Sequence, residues 1–133
     1  MNAVGTAIYN TLKNYSALTS TLGGTAIYFN VMPRDKSLPA VIINLAGGSE
    51  RNETPRRAVD LVYSVKAIAT TAYTAGQIAE QIDAALHDAS LTVSGWGNFW
   101  TAREGVFQYL ETDPAGHTFG HAGAQYRIRI AGS

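Results

Sequence analysis

His117 and His121 stand four residues apart, the interval at which two imidazoles on one helical face can hold a metal ion. Thr118-Phe119-Gly120 between them, with Gly116 and Gly123 nearby, opposes a helix, so nothing makes the rings converge. The plainer reading is a glycine-rich loop with exposed histidines. Glu104 with Glu111, or Glu111 with Asp113, are acid pairs of the kind that general acid–base or glycosidic chemistry uses. No element sets their separation, and solvated surface carboxylates are by far the favoured reading. Gly23-Gly24-Thr25 and Gly47-Gly48-Ser49 lack the lysine of a phosphate-binding loop. There is no Gly-x-Ser-x-Gly elbow, and no serine has a histidine at a diagnostic spacing. The absence of cysteine removes disulfides, thiolate metal sites and a thiol nucleophile. The sequence therefore predicts no catalytic residue, no cofactor site and no metal site.

Three clusters could instead bind a partner. Trp96, Phe99, Trp100, Phe107 and Tyr109 would stack nucleic-acid bases if basic residues flanked them, but only Arg103 falls in that interval. Core packing or a subunit contact is the favoured reading. Arg127 and Arg129 share one face of a strand and suit a solvated outer face, a subunit contact, or a basic wall along which DNA passes. Glu50, Arg51, Glu53, Arg56 and Arg57 form the densest charge cluster, within a segment, 47–57, that has no apolar residue and no period. That segment reads as a loop joining two strands and as a partner-binding element.

The elements that must position these residues follow from periodicity. Val4, Ile8, Leu12 and Tyr15 mark an amphipathic helix. A second helical turn follows, capped by Ser16, with Leu18 and Leu22 inward and Gly23-Gly24 as its stop. Thr25 to Val31 is a short β-branched and aromatic strand, 32–37 a polar turn, and Pro39 opens a strand over 40–45. Val59, Leu61, Tyr63, Val65 and Ala67 alternate with Asp60, Ser64 and Lys66, the signature of a half-buried strand. Thr70 to Ala89 is the clearest helix, capped by Thr71 or Thr74, with Ala75, Ile78, Ala79, Ile82, Ala85 and Leu86 in one stripe.

Beyond it lie a short strand at 91–93, a turn at Gly95-Trp96-Gly97, and a strand pair, 98–103 with 106–112, around Glu104-Gly105. Residues 113–117 form a turn. The last strand points Tyr126, Ile128 and Ile130 inward and Gln125, Arg127 and Arg129 outward. The order predicts an α+β domain spanning 1–133: a twisted, mostly antiparallel sheet packed by an N-terminal helix and one long central helix.

Composition bounds the function. The ten basic and ten acidic residues cancel, and charged residues make up only 15% of the chain. Such a surface is poorly self-repelling and suits a protein whose faces become covered. It argues against general nucleic-acid binding, which needs a net basic face. Apolar runs such as 38–46 are too short to span a bilayer. The first residues lack the basic start and apolar run of a signal peptide, so a soluble cytoplasmic protein is expected.

The order and spacing of these segments resemble the tail terminator, or tail-completion, proteins of long non-contractile-tailed phages and prophages. The resemblance covers nearly the whole chain. It rests on the N-terminal helix, the segment Ser16-Ala-Leu-Thr-Ser-Thr-Leu-Gly-Gly, Ile27-Tyr28, the Pro-initiated Leu38-Pro39-Ala40-Val41-Ile42-Ile43, and the alternating strand leading into the 70–89 helix. It implies a virion structural protein without cofactor or catalytic residue, made in the host cytoplasm and placed in the tail. Such proteins form a ring, typically a hexamer, on the last ring of the tube. The ring ends tube polymerisation, offers a surface to the head–tail connector and lets DNA pass through its lumen; no membrane is involved. A head–tail connector or tube protein of the same phage is the nearest alternative, and a small ligand-binding or hydrolytic enzyme the alternative from another class.

Overall fold

The computed structural model describes residues 2–33, 37–52 and 57–132. Two short helices, α1 (Asn2–Lys13) and α2 (Ser16–Leu22), precede strands β1 (Ile27–Phe29), β2 (Ala40–Asn52) and β3 (Arg57–Ala69). Helix α3 (Ala72–Leu86) then leads to two long strands, β4 (Trp96–Thr112) and β5 (Thr118–Gly132). The sheet has five strands in the order β1-β2-β3-β5-β4. Only β1 runs parallel to its neighbour; the other pairs are antiparallel. The chain is thus α+β, as its periodicities predict.

All three helices contribute to one core against one face of the sheet. Val4, Ile8 and Leu12 of α1, Leu18 and Leu22 of α2, and Ala75, Ile78, Ile82 and Leu86 of α3 are buried with Val59, Leu61, Tyr63, Val65 and Ala67 of β3. From β5, Ala122, Ala124, Tyr126, Ile128 and Ile130 complete it. Size falls along β5 towards its start for a steric reason. A Cβ on Gly120 would lie 2.7 Å from Ala72 Cα and 2.8 Å from Ala72 N, so the first turn of α3 sits directly on the sheet backbone there.

Caps set the helix ends. Thr71, rather than Thr74, is the N-cap of α3: its hydroxyl accepts the Thr74 N–H at 3.2 Å. Tyr15, not Ser16, occupies the N-cap of α2 and makes no side-chain capping bond. Gly23 ends α2 in the left-handed region at φ 73°, and its N–H returns to the Ser20 and Thr19 carbonyls.

Several expected boundaries change. The segment 47–57 is mainly strand: β2 continues to Asn52 and β3 begins at Arg57, so Gly47 to Asn52 pair with Val62 to Arg57. Backbone pairing carries this polar stretch, with a bulge at Leu45/Gly47 absorbing one residue. Residues 98–112 are not a strand pair but one continuous strand running along β5, bulged at Asn98/Trp100 and at Arg103/Gly105. The expected turn at Glu104-Gly105 is that second bulge. The turn expected at 95–97 closes earlier, since Trp96 already pairs with Gly132, and the strand expected at 91–93 is reduced to one bridge between Val93 and Trp96. The glycine-rich stretch around His121 is strand β5, not a loop.

Candidate assembly surfaces

The sheet face turned away from the helices carries most of the chain's paired charge. Asp60 and Arg129 oppose each other across β3 and β5. The Arg129 guanidinium donates to both Asp60 carboxylate oxygens, Nε at 2.7 Å and Nη2 at 3.1 Å, the bidentate geometry that charge-assisted pairs favour. The same guanidinium stacks over Trp100 at 5.4 Å, so a cation–π contact extends the pair to β4. Arg127 is held by Glu104, which the bulge in β4 turns to this side; the pair holds the Arg127 guanidinium above its usual range.

Further along the face Lys66 donates to the Tyr109 hydroxyl at 3.1 Å, and Tyr109 stacks on His121 at 4.5 Å. His121 is buried and meets the Glu111 carboxylate at 2.7 Å. This corrects the expectation of exposed loop histidines. Strand pairing sets His121 opposite Tyr109 and Ile68, where the imidazole is covered on both sides. His117 is exposed, as expected, and closes the 113–117 turn, where the Asp113 carboxylate accepts the His117 and Ala115 N–H groups at 2.8 and 3.0 Å. Those bonds hold the Asp113 carboxyl below its usual range, the His117 N–H being the main cause.

The candidate carboxylates therefore do not meet. Glu104, Glu111 and Asp113 each engage a different basic group, which replaces the expectation of free solvated acids. The two histidines also belong to separate pairs, and no cluster among the described residues could hold a metal ion. A hollow of about 400 Å³ lies between α1 and the β1–β2 edge, and Phe29, Ile43, Leu45 and Tyr63 help to line it. It contains no acid–base pair. The described residues offer no arrangement of nucleophile, base and oxyanion donors.

Of the charge cluster singled out from the sequence, Glu50 and Arg51 end β2 and Arg57 opens β3, with Glu50 opposite Val59 and Arg51 opposite Ala58. Glu53 and Arg56 lie outside the described residues. This hairpin end is level with Gly97 and Ala131, at the opposite end of the sheet from the 113–117 turn. Arg127 and Arg129 do share one face, as expected. Lys66, Arg127 and Arg129 are matched there by Asp60, Glu104 and Glu111, so this face is electrically balanced among the described side chains. A balanced face has little capacity to displace counterions from a phosphate backbone.

Sequence reasoning missed the apolar residues at the sheet's two flanks. Phe29, Val31 and Leu45 are exposed at one, and Val106 and Leu110 at the other, with Tyr73 exposed at the start of α3. Phe29, Leu45, Val106 and Leu110 occupy inward positions of their strands, and they stay partly bare because they lie at the margin of the helix layer, Phe29 meeting α1 at Tyr9. Among the described residues no strand lies beside the outer edge of β4, and the segment after α3 caps its first half, where the Asp88 N–H reaches the Thr101 carbonyl at 2.9 Å and the Arg103 N–H reaches His87 Nδ1 at 3.3 Å; the bare part runs over 104–112. Such an edge is a template for pairing with another chain.

Two solved structures share this fold over almost their full length. A chain from the virion of a native gene transfer agent particle superposes with a TM-score of 0.73 at 19% identity, covering 94% of this chain and 92% of that one. A second solved chain gives a TM-score of 0.59 at 14% identity over 96% and 94%. No curated protein matches the chain. The family described as Tail completion protein gp17 matches residues 6–131, from within α1 to the penultimate residue of β5. With helices, sheet and sequence pattern in agreement over that span, the chain belongs to the tail completion protein gp17 family, whose members are structural components of phage tails rather than enzymes.

Proposed function

We propose that this protein caps the tail tube of a phage-like virion as a homo-oligomeric ring, ending tube polymerisation and forming the surface to which the head attaches. The family match along 6–131 carries this reading. The likeness to a chain of a gene transfer agent virion agrees with a place in such a particle. The physical support is a sheet with a partly bare strand at one edge, exposed apolar residues at both flanks and no net charge to oppose close association. The partners are further copies of this chain, six in a closed ring, the tail tube protein on one side and the head–tail connector protein on the other.

The hairpin end with Glu50, Arg51, Glu53, Arg56 and Arg57 is the contact to the tube or to a neighbouring copy. The segment carries charges of both signs, and its described part, the end of β2 and the start of β3, lies at one end of the sheet. Arg127 and Arg129 belong to a balanced face rather than a phosphate-binding one, so DNA in transit would meet no strong attraction there.

The test is tube length. Tube protein is polymerised with and without this protein, and the products are measured by negative-stain electron microscopy. Short tubes of uniform length, each with extra density at one end, are expected. Long tubes formed by this protein alone would make it a tube protein. Unchanged tube lengths, together with binding to isolated heads, would make it a connector.

A further inference from the structure

The two flanks of the sheet are unlike, and each lacks the neighbour that its chemistry calls for. On the β1–β2 flank Phe29 is 45% and Leu45 50% exposed. Tyr9 packs on the Phe29 ring at 5.9 Å, and the Lys13 ammonium lies over Tyr9 at 5.6 Å. Lys13 has no acidic partner among the described residues. On the β4 flank Val106 is 69% and Leu110 64% exposed. Beside Val106 runs a groove of about 180 Å³ against α3, where Gly76 and Ala79 leave room and Glu80 stands at the wall. Glu80 has no basic partner among the described residues.

Register places both apolar sets on the same side. Leu45 opposes Tyr63, and Val106 opposes Ala124; Tyr63 and Ala124 both face the helices. If the sheet of one copy is continued by the next, Val106 and Leu110 arrive on the side that already carries Phe29 and Leu45. Beyond Ile43 the outer edge of β2 has no strand beside it among the described residues, and neither has β4 over 104–112, past the stretch that His87 and Asp88 cap, so a free edge meets a free edge there.

Charge selects the pairing. Two β4 flanks brought together would oppose Glu80 with Glu80, and two β1–β2 flanks would oppose Lys13 with Lys13. The unlike pairing opposes Lys13 with Glu80. We infer that the β4 flank of one copy docks on the β1–β2 flank of a second copy, Val106 and Leu110 against Phe29 and Leu45, with Glu80 facing Lys13. This rests on the ring reading above and gives it a contact. Because the flanks lie at opposite edges of the sheet, each copy uses both, and such head-to-tail contacts generate a closed ring when the rotation permits.

The chain has no cysteine, so introduced thiols report the contact directly. Leu45→Cys and Val106→Cys proteins are prepared separately and checked for unchanged melting, since both sites are exposed. They are then oxidised alone and mixed, in solution and on tube ends, with assembly followed independently by light scattering and microscopy. Cross-linked dimers from the mixture and few from either protein alone are expected. Equal dimer yield from Val106→Cys alone would overturn the inference in favour of a symmetric contact. Rings that assemble without any cross-link would overturn it while leaving the ring reading intact, and absence of assembly even on tubes would remove both. As a second measure, Lys13→Glu and Glu80→Lys should each weaken assembly about twofold to fivefold per contact, and the double reversal should restore it. Failure of the double reversal to recover either loss would overturn the Lys13–Glu80 pairing.

Discussion

Replacing Gly120 by alanine puts a methyl group where the sheet and α3 leave no space for one. The new Cβ would lie 2.7 Å from Ala72 Cα, 2.8 Å from Ala72 N and 2.8 Å from the Thr71 carbonyl carbon, all backbone atoms. A backbone contact cannot be relieved by turning a side chain, so the first turn of α3 must lift by roughly 1 Å to reach ordinary van der Waals separation. Overpacking of this kind costs about 1–3 kcal/mol. Alanine recovers some of it, about 0.4–1 kcal/mol, by restricting the unfolded chain. A net loss of about 1.3 kcal/mol remains.

With an unfolding entropy of about 0.28 kcal/mol/K for a chain of 133 residues, the melting temperature should fall by about 5 °C. Gly76→Ala in the same helix is the control. A Cβ there meets nothing within 4 Å and the backbone is helical, so the substitution should stabilise by about 0.5–1 kcal/mol and raise melting by about 2–4 °C. Both are read by scanning calorimetry of the purified protein. An unchanged or raised melting temperature for Gly120→Ala would refute the close approach of α3 to β5 on which this account of the core depends.

Three more predictions address the polar contacts. Tyr126 is buried with its hydroxyl donating to Asp83 at 3.1 Å, and burial first, then Asp83, pushes its ionisation well above the usual value of 10; burial also raises Tyr63. Both tyrosines therefore stay protonated in the folded chain at pH values where the unfolded chain has lost those protons. Stability is complete below about pH 10 and declines above it, at up to about 1.4 kcal/mol per pH unit for each group; Tyr126→Phe should flatten the decline in alkaline denaturation, and an unaltered slope would count against it. Asp60→Ala removes the bidentate partner of the Arg129 guanidinium in a site that is only partly open to water, and should cost about 2 kcal/mol in chemical denaturation. Asp60→Ala with Arg129→Met should cost less than Asp60→Ala alone; an additive double mutant would show that the pair is not coupled. Asp113, held below the usual carboxylate range, contributes stability that is present above its unfolded value and lost as pH falls through its folded one. An NMR titration should therefore show Asp113 protonating below pH 3.8, with the 113–117 turn loosening as it does; titration at or above that value would contradict the turn geometry.

How far the sequence could be read depends on how large the buried side chains are. Val4, Ile8 and Leu12, the stripe Ile78, Ile82 and Leu86, and the alternation from Val59 to Ala67 each place large apolar groups at a fixed period, and each element forms as its period requires. Where the packing partner is backbone rather than side chain, the signal fades. Strand β5 begins Thr118-Phe119-Gly120-His121-Ala122-Gly123-Ala124, where Gly120 lies against the start of α3 and Gly123 against the β3 backbone at Val65 and Lys66, and such small residues read as a loop. Gly47 to Asn52 are a strand with no apolar residue because the β2–β3 ladder holds them. Glu104-Gly105 look like a turn, yet in an antiparallel pair one surplus residue is a bulge that leaves the strand running.

By itself the sequence determined the fold class, the helical and strand faces, the lack of a catalytic constellation and, through order and spacing, the family. These are properties of local period and composition, which a linear chain carries in full. Only the tertiary structure decided which charges cancel and which apolar residues are left bare. Arg127 and Arg129 are two cations in the sequence, but pairing across strands set Glu104 and Asp60 beside them and removed their free charge. Val106 and Leu110 have the alternation of core residues, and they are exposed because they lie on the last strand of the sheet, beyond the cover of α3. Position at a sheet edge comes from the strand order, β1-β2-β3-β5-β4, and no local pattern encodes that order.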